Sequence, residues 1–228
     1  SEMCIRDRSR SMPGRIILLR HGQTYSNISR FLDTRPPGAE LTERGRDQAT
    51  EVGRELAQLV GEREVEFKCS IALRAQQTAM LAARAFEQER GMPEFSQRVD
   101  VIAGVHEIFA GDWEMDGSED AHRSHMVAMR GWCDGERGAG MEGGETLDDV
   151  LARYQPVLEG IAEQLADDHD VILVSHGAAI RVVTKHATGV DADFAYTGYL
   201  ANCRFMVMEP RGKDFGEWTL TRWADTEL

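Results

Sequence analysis

Residues 16–27 read IILLRHGQTYSN, a run of four aliphatic residues that leads directly into arginine, histidine and glycine. Such a run has the length of a β-strand that is buried on both faces. A second segment, residues 171–177, repeats the arrangement as VILVSHG. Each segment is therefore predicted to be a buried strand that ends in a functional loop, with His21 in the first loop and His176 in the second.

Helical patterns separate the predicted strands. Thr42 is placed to cap a helix in which apolar residues recur at helical spacing. Thr146, with Asp149 three residues later, resembles a capping box that opens another helix. The other predicted elements are strands at 66–70, 99–105, 202–209 and 217–223, and helices at 75–88 and after residue 177.

This alternation of strands and helices predicts an α/β fold, a three-layer sandwich built on a mostly parallel central sheet. The chain has neither an internal repeat nor an obvious linker, so residues 12–228 are expected to form one domain. Within it, an insertion or cap at about 108–144 shows no clean period and is expected to lie over the sheet edge. Residues 1–11 are polar and unpatterned, which is typical of a flexible leader or an expression remnant.

Composition restricts the possible partners and compartment. Acidic residues outnumber basic ones by 39 to 26, a formal charge of −13, which argues against a binder of nucleic acid or of anionic membranes. No apolar run approaches the roughly 18 residues needed to span a bilayer. The four cysteines form no CxxC pair, and Cys69 and Cys203 are expected to be packed thiols. Without a secretory signal, the expected location is the reducing cytoplasm.

The residues that end the predicted strands suit the chemistry of phosphate. Arg20 can grip phosphate oxygens through a two-pronged contact, and its charge favours the neutral, nucleophilic form of His21. Gly22 is expected to let the backbone approach a ligand closely. The carboxyl ends of parallel strands share one edge of the sheet. His21 and His176 are therefore expected to meet around one phosphate.

Three further groups of residues are candidates for chemistry. Arg74 opens the helix after the second strand, where its guanidinium can join the helix N-terminus in binding an anion. Glu107, expected at the end of the third strand, is the natural general acid for a leaving alkoxide. Glu119, His122 and His125 follow one another at i, i+3 and i+6. This is not the HExxH spacing of zinc enzymes, so we expect a solvated helix face there rather than a metal site.

Taken in order, these motifs resemble the histidine phosphatase superfamily, also called the phosphoglycerate mutase-like family. Residues 19–27 match its LRHGxTxxN signature. The other matching blocks, in the same order as in the family, are 41–49, 73–79, 107–114, 143–146 and 175–177. Two departures concern the selection of substrate: residues 31–39 read FLDTRPPGA in place of the family's more usual pattern, and Met115 stands where a glycine is usual.

The resemblance implies a role for each residue of the predicted site. It assigns the nucleophile, which becomes phosphorylated, to His21 and the general acid to Glu107. Contacts to the phosphoryl group and to the substrate are assigned to Arg20, Arg74, His176, Asn27 and the backbone amide of Gly177. Because two arginines and a histidine supply the positive charge, neither a metal nor another cofactor is expected.

The predicted function is a cytoplasmic phosphomonoesterase that passes the phosphoryl group of a small phosphorylated metabolite to His21 and then to water. One alternative is a phosphoglycerate mutase, which returns the group to its product and needs a bisphosphorylated primer. Mutases of the family carry a longer and more basic insertion, whereas the arginines and lysines of residues 108–144 are limited to Arg123, Arg130 and Arg137. The other alternative, a catalytically silent phospholigand-binding domain, is disfavoured by the intact set of site residues.

Overall fold

One sheet organises the part of the chain that the computed structural model describes, residues 11–228. Its strands are β1 (Arg15–Arg20), β2 (Glu64–Cys69), β3 (Val99–Val101), β4 (His169–Ser175), β5 (Phe205–Glu209), β6 (Thr219–Trp223) and β7 (Thr226–Glu227). They lie in the order β3-β2-β4-β1-β5-β6-β7. The first four strands in this order pair in parallel, and β5, β6 and β7 form an antiparallel edge. The predicted sheet is confirmed.

Helices cover both faces of the sheet. They are α1 (Tyr25–Ser29), α2 (Glu43–Val60), α3 (Leu73–Arg90), α4 (Glu119–Asp134), α5 (Leu147–Gln164), α6 (Gly177–Thr188) and α7 (Ala192–Thr197). Strand β1 contributes to both apolar cores, because successive side chains of a strand point to opposite faces. Ile17 and Leu19 pack with α2 and α3, while Ile16 and Leu18 belong to the core shared by α4, α5, α6 and α7. The fold is the predicted three-layer α/β sandwich.

Local sequence signals place the starts of two long helices correctly. The side-chain oxygen of Thr42 accepts a 3.0 Å hydrogen bond from the Gly45 amide at the start of α2. Thr146 and Asp149 form the reciprocal bonds of a capping box at the start of α5, at 2.9 and 3.2 Å. Each bond satisfies a backbone amide that the helix itself leaves without a partner.

The third strand is shorter than predicted. It was expected to extend to residue 105, but β3 ends at Val101, opposite Cys69, where its neighbour β2 also ends. No other strand pairs with β3 in residues 11–228, so its backbone has no partner strand beyond this point. Glu107 consequently lies in a loop, six residues after the strand, and not at a strand end.

The segment 108–144, for which the sequence indicated only a solvated helix face at residues 119–125, contains the 16-residue helix α4, whose later turns are packed in the core. Ser118 caps α4 by accepting a 3.1 Å bond from the Ala121 amide. The first two turns of α4 are polar. The residues that pack in the core, such as Met129 and Trp132, come only later in the helix. Rather than lying over the sheet edge, α4 packs against α6 and α7. It therefore stands beside the loops that follow β1 and β4.

The expected leader at residues 1–11 falls almost wholly on residues 1–10, which lie outside the described part of the chain. Ser11 donates a 3.3 Å hydrogen bond to Asp167. Among residues 11–228, no helix combines the length and apolarity that crossing a membrane requires.

Candidate active site

The two histidines meet at the carboxyl edge of the sheet. His21 follows β1 and His176 follows β4, and these neighbouring strands pair with Arg20 opposite Ser175. The centroids of the two imidazole rings are 5.4 Å apart, and the ring planes are tilted by 58°. Both side chains are buried, His21 with 4% of its surface exposed and His176 with none. The parallel topology thus brings together two residues that are far apart in the sequence, as predicted.

The hydrogen bonds of His21 define which nitrogen has a free lone pair. Nδ1 lies 2.7 Å from the carbonyl oxygen of Gly22, which can only accept, so Nδ1 carries the proton. Nε2 then accepts a 3.2 Å bond from Nε of Arg74. Burial and the charges of Arg74 and Arg20 hold the pKa of His21 well below its ordinary value, against the opposing effect of the Gly22 bond. The ring is therefore neutral at physiological pH, the form that a nucleophile requires.

His176 is fully buried and does not itself line the cleft, but its ring is adjacent to that of His21. Its Nε2 is 2.8 Å from the hydroxyl of Ser70, which can donate to it. Its Nδ1 is buried and has no hydrogen-bond partner within residues 11–228. Burial and the charge of Arg74 lower the pKa of His176 well below its ordinary value. A neutral His176 bonded in this way presents an N–H at Nδ1 to any acceptor that enters the site.

Two arginines beside the histidines also have unused donors. Nη1 of Arg20 donates to the hydroxyl of Tyr199 at 3.0 Å and to the carbonyl of Leu200 at 2.7 Å, but its buried Nε has no partner in the described chain. Nη2 of Arg74 donates to the carbonyl of Asp33 at 3.0 Å, and its buried Nη1 likewise lacks a partner there. Buried polar groups normally have hydrogen-bond partners, so these two unused donors are available to an anionic ligand.

Glu107 lines the same cleft, although it lies in a loop. Its Oε1 accepts bonds from the amides of Ile108 and Ala179, both at 2.9 Å. Its Oε2 accepts a single amide bond, from Ala178 at 3.2 Å. The carboxyl group is thus fixed in position by three backbone amides, two of them from the first turn of α6. Oε2 keeps a lone pair that can hold a proton.

The two predicted substrate contacts both line the cleft. Oδ1 of Asn27 accepts bonds from the Thr24 amide at 3.0 Å and from Nδ2 of Asn202 at 3.3 Å. The side-chain nitrogen Nδ2 of Asn27 is therefore the atom that can donate a hydrogen bond to a ligand. At Gly177, the first residue of α6, a Cβ atom would lie 3.1 Å from Nε of Arg20. Glycine here leaves room for the guanidinium.

Gly22 has a different use from the one predicted. A Cβ atom at this position would lie 2.5 Å from the carbonyl oxygen of Gly45 in α2, closer than a folded chain permits. The Gly22 amide donates a 3.0 Å bond to the hydroxyl of Thr78, which itself donates to the carbonyl of Arg74. The close approach that Gly22 allows is therefore between the histidine loop and α2, rather than between the backbone and a ligand.

One wall of the cleft was missed by sequence reasoning. The residues of this wall come from α4, α6 and the loop before β5: His125, Met129, Arg181, Tyr199 and Leu200. The sequence does contain a signal for part of this wall, in two spacings of four residues. His125 and Met129 in α4, and Gly177 and Arg181 in α6, are each spaced so that the pair lies on one helix face.

His125 also corrects the prediction of a solvated helix face. Its ring is partly buried in the cleft, and burial lowers its pKa. Glu119, by contrast, has a side chain that is 92% exposed, and Nε2 of His122 is 2.9 Å from the carbonyl oxygen of Arg30. The three side chains thus have different surroundings. In the described residues, no three His, Cys, Asp or Glu side chains are grouped so that they could hold a metal ion.

The segment 31–39, where the sequence departs from the usual pattern, also lines the cleft, through Phe31, Leu32, Asp33 and Thr34. Glu114 holds it by accepting bonds from the amides of Thr34 and Arg35, at 2.8 and 3.0 Å, and from the Thr34 hydroxyl. Met115, in the position where glycine is usual, has a left-handed backbone with φ of 61°. Glycine adopts this conformation without steric cost, which explains why glycine is the usual residue at this position.

A mostly parallel sheet whose carboxyl edge holds a buried, neutral histidine under the influence of two arginine charges defines a class of phosphoryl-transfer proteins that use histidine. The chain belongs to the histidine phosphatase superfamily, branch 1, whose family model matches residues 16–226.

Individual relatives include phosphatases and a mutase. The chain is 28% identical over 182 residues to the adenosylcobalamin/alpha-ribazole phosphatase of Escherichia coli. The alignment covers 78% of this chain and 81% of the relative. The chain is also 28% identical over 203 residues to a 2,3-bisphosphoglycerate-dependent phosphoglycerate mutase of a Nocardioides species, covering 79% and 80%. Among solved structures, it resembles the mycobacterial glucosyl-3-phosphoglycerate phosphatase with a TM-score of 0.69 and 25% identity, over 95% of this chain and all of the other.

Proposed function

We propose that the chain is a phosphomonoester hydrolase that acts on a small phosphorylated metabolite through a phosphohistidine formed at His21. The observation that carries this proposal is the set of three buried donors around a neutral nucleophile: Nε of Arg20, Nη1 of Arg74 and Nδ1 of His176. A phosphoryl group offers three charged oxygens that these donors would satisfy. Membership of the histidine phosphatase superfamily, and relatives that are named as phosphatases, support the same function.

In the first half of the reaction, the lone pair on Nε2 of His21 attacks phosphorus while the ester P–O bond breaks. The proton on Glu107 passes to the leaving oxygen, so that a neutral alcohol departs. Arg74 exchanges its bond to Nε2 for bonds to the phosphoryl oxygens, because the nucleophile can use its lone pair only once. Preorganised charges of this kind stabilise the transition state without reorganising as the reaction proceeds.

In the second half, water attacks phosphorus and the bond to Nε2 breaks. The carboxylate of Glu107 accepts the proton that the water loses, which restores the starting protonation of both residues. Inorganic phosphate then leaves. Nδ1 of His21 stays protonated throughout, since its bond to the Gly22 carbonyl is independent of the phosphoryl group.

The size of the cleft supports a small substrate. Its volume is about 170 Å³, below the range of about 300–1,000 Å³ that is usual for pockets holding drug-sized ligands. Beyond the charged end, the walls include Leu32, Ile108, Met129 and Leu200. The organic part of the substrate is therefore small and partly apolar.

The free buried thiols of Cys69, Cys133 and Cys203 fit a reducing compartment, and we place the reaction in the cytoplasm.

The positions of the arginines in segment 108–144 favour hydrolysis over a mutase reaction. Arg123 pairs with Asp120, Arg130 with Asp134 and Asp193, and Arg137 with Asp148. All three bind acidic partners outside the cleft, which leaves this segment with no arginine to hold a bisphosphorylated primer. Hydrolysis needs no such primer, because water accepts the phosphoryl group.

A panel of phosphorylated metabolites, assayed for release of inorganic phosphate, tests the proposal. We expect steady release from at least one small ester without any added primer. A parallel assay with 3-phosphoglycerate and 2,3-bisphosphoglycerate would detect the mutase reaction. Isomerisation that is faster than phosphate release would favour the mutase, and binding of phosphate esters without turnover would favour a silent binding domain.

A further inference from the structure

The loop that carries Glu107 lacks support from regular secondary structure. Strand β3 ends at Val101, and residues 102–110 belong to no helix or strand. A general acid needs a position defined to within a fraction of an ångström, because a displacement of about 1 Å can cost on the order of 100-fold in rate. The structure must therefore hold this loop by other means.

Arg153, in the second turn of α5, binds three successive parts of the loop. Its Nη1 donates to the carbonyls of Gly104 and His106, at 2.8 and 2.9 Å, and its Nη2 donates to the carbonyl of Glu107 itself at 3.1 Å. The other bonds, from Nε and Nη2, go to the carboxylate of Glu145, both at 2.8 Å. All five N–H donors of the guanidinium are thus used, a pattern that only arginine can provide.

Glu145 completes the arrangement from the residue just before the α5 cap. Its Oε1 also accepts a 3.0 Å bond from the Phe109 amide, so the same carboxylate orients Arg153 and binds the far end of the loop. The side chains of Glu145 and Arg153 are only 15% and 16% exposed, and neither lines the cleft. Burial would raise the pKa of Glu145, but the bonds and charge of Arg153 outweigh this, so the pKa is lowered and the residue is ionised.

We infer that Glu145 and Arg153 are positioning residues that set the place of the Glu107 carboxyl group against the leaving oxygen. The inference rests on the proposed function, in which Glu107 is the general acid. The connection has two ends: Arg153 fixes the backbone of Glu107, and the Ala178 and Ala179 amides fix its carboxylate. Neither residue touches the phosphoryl site, so their loss should impair protonation of the leaving group and spare the attack by His21.

The test compares two esters within each variant. We would measure kcat/KM for 4-nitrophenyl phosphate, whose leaving group needs no proton, and for a simple alkyl phosphate that the wild type hydrolyses. In Glu145→Gln, kcat/KM for the alkyl ester should fall by about tenfold or more while that for the nitrophenyl ester stays within about twofold. Arg153→Lys, which keeps the charge but cannot make five bonds, should shift the ratio in the same direction. Glu163→Gln, the same substitution at an exposed position of α5, should leave both values unchanged.

The ratio of the two kcat/KM values does not depend on the fraction of folded enzyme, so a partly unfolded variant still gives an answer. Equal losses on both esters, or no loss on either, would overturn the inference, as would complete unfolding of both variants, which would make the pair a purely structural one. A wild-type protein that releases phosphate from no ester, including those of the metabolite panel, would instead refute the proposed function.

Discussion

Nε of Arg74 donates a hydrogen bond to Nε2 of His21, the nitrogen whose lone pair would attack phosphorus. Because the opposite ring nitrogen is protonated and bonded to the Gly22 carbonyl, this contact selects one tautomer of His21. Burial, and next the charge of the same arginine, lower the pKa of the ring. One buried side chain thus contacts the nitrogen that is proposed to attack phosphorus and adds to the effect of burial in favouring the neutral ring.

His21→Ala should abolish turnover, because alanine has no lone pair to accept the phosphoryl group. Incubating the wild type briefly with ³²P-labelled substrate, followed by an alkaline quench, should trap an acid-labile phosphoenzyme that the variant does not form. A melting temperature close to that of the wild type would show that the variant is folded. Comparable turnover by the two proteins would refute the mechanism.

Hydrolysis should continue in a strong chelator. Arg20, Arg74 and His176 supply the donors for the phosphoryl oxygens, so the proposed mechanism uses no divalent ion. We expect rates with and without EDTA to agree within about twofold, which is a difference in activation free energy of well under about 1 kcal/mol. Activity that is lost in EDTA and restored by one metal ion would require a metal site, and variants of His122 and His125 would then locate it.

The pH dependence follows from the lowered pKa of His21. The neutral ring is the active form, and since the folded-state pKa lies well below 6.5, protonation begins only below that pH. From pH 7.5 to 5.5, kcat/KM for 4-nitrophenyl phosphate, whose leaving group needs no proton from Glu107, should therefore change by no more than about twofold once it is corrected for ionisation of the substrate. Repeating the profile with an ester of different phosphate pKa separates the two titrations. A fall centred near 6.5 with both esters would show that His21 has an ordinary pKa.

The fold and the proximity of His21 to His176 could be predicted from the sequence because their determinants are local and regular. A buried apolar run followed by a histidine marks the end of a strand, and parallel pairing of β1 and β4 then brings His21 and His176 together. The N-cap residues Thr42 and Thr146 likewise indicate where α2 and α5 begin. These signals need only a few neighbouring residues.

The rest of the cleft depends on tertiary packing that short patterns do not encode. α4 begins with two polar turns, so His125 looked solvated until the packing of α4 against α6 placed it in the cleft. The support of Glu107 was similarly hidden, because β3 stops at Val101 and the loop is held by Arg153, which lies 46 positions after Glu107. The use of Gly22 became visible only once α2 was packed beside it.

Glu107→Gln should slow esters with poor leaving groups far more than those with good ones. An alkyl alkoxide needs a proton as its bond to phosphorus breaks, and a positioned acid typically contributes about 10²- to 10⁴-fold. A nitrophenolate leaves without that help. Glutamine keeps the size of the side chain and an oxygen that can accept from the Ile108 and Ala179 amides. Its NH₂ group takes the place of the oxygen bonded to the Ala178 amide and has no proton to give up at neutral pH.

The comparison for Glu107→Gln is best made with kcat/KM, which reports the steps up to phosphorylation of His21 and excludes the hydrolysis of the phosphoenzyme that both esters share. We expect kcat/KM for the alkyl ester to fall by at least about 100-fold and that for 4-nitrophenyl phosphate to fall only a few-fold. Equal losses would mean that Glu107 orients the substrate and that the acid lies elsewhere. Asp112 and Glu114, the carboxylates that follow Glu107 in the sequence, are poor substitutes because neither lines the cleft and Glu114 already binds Thr34 and Arg35.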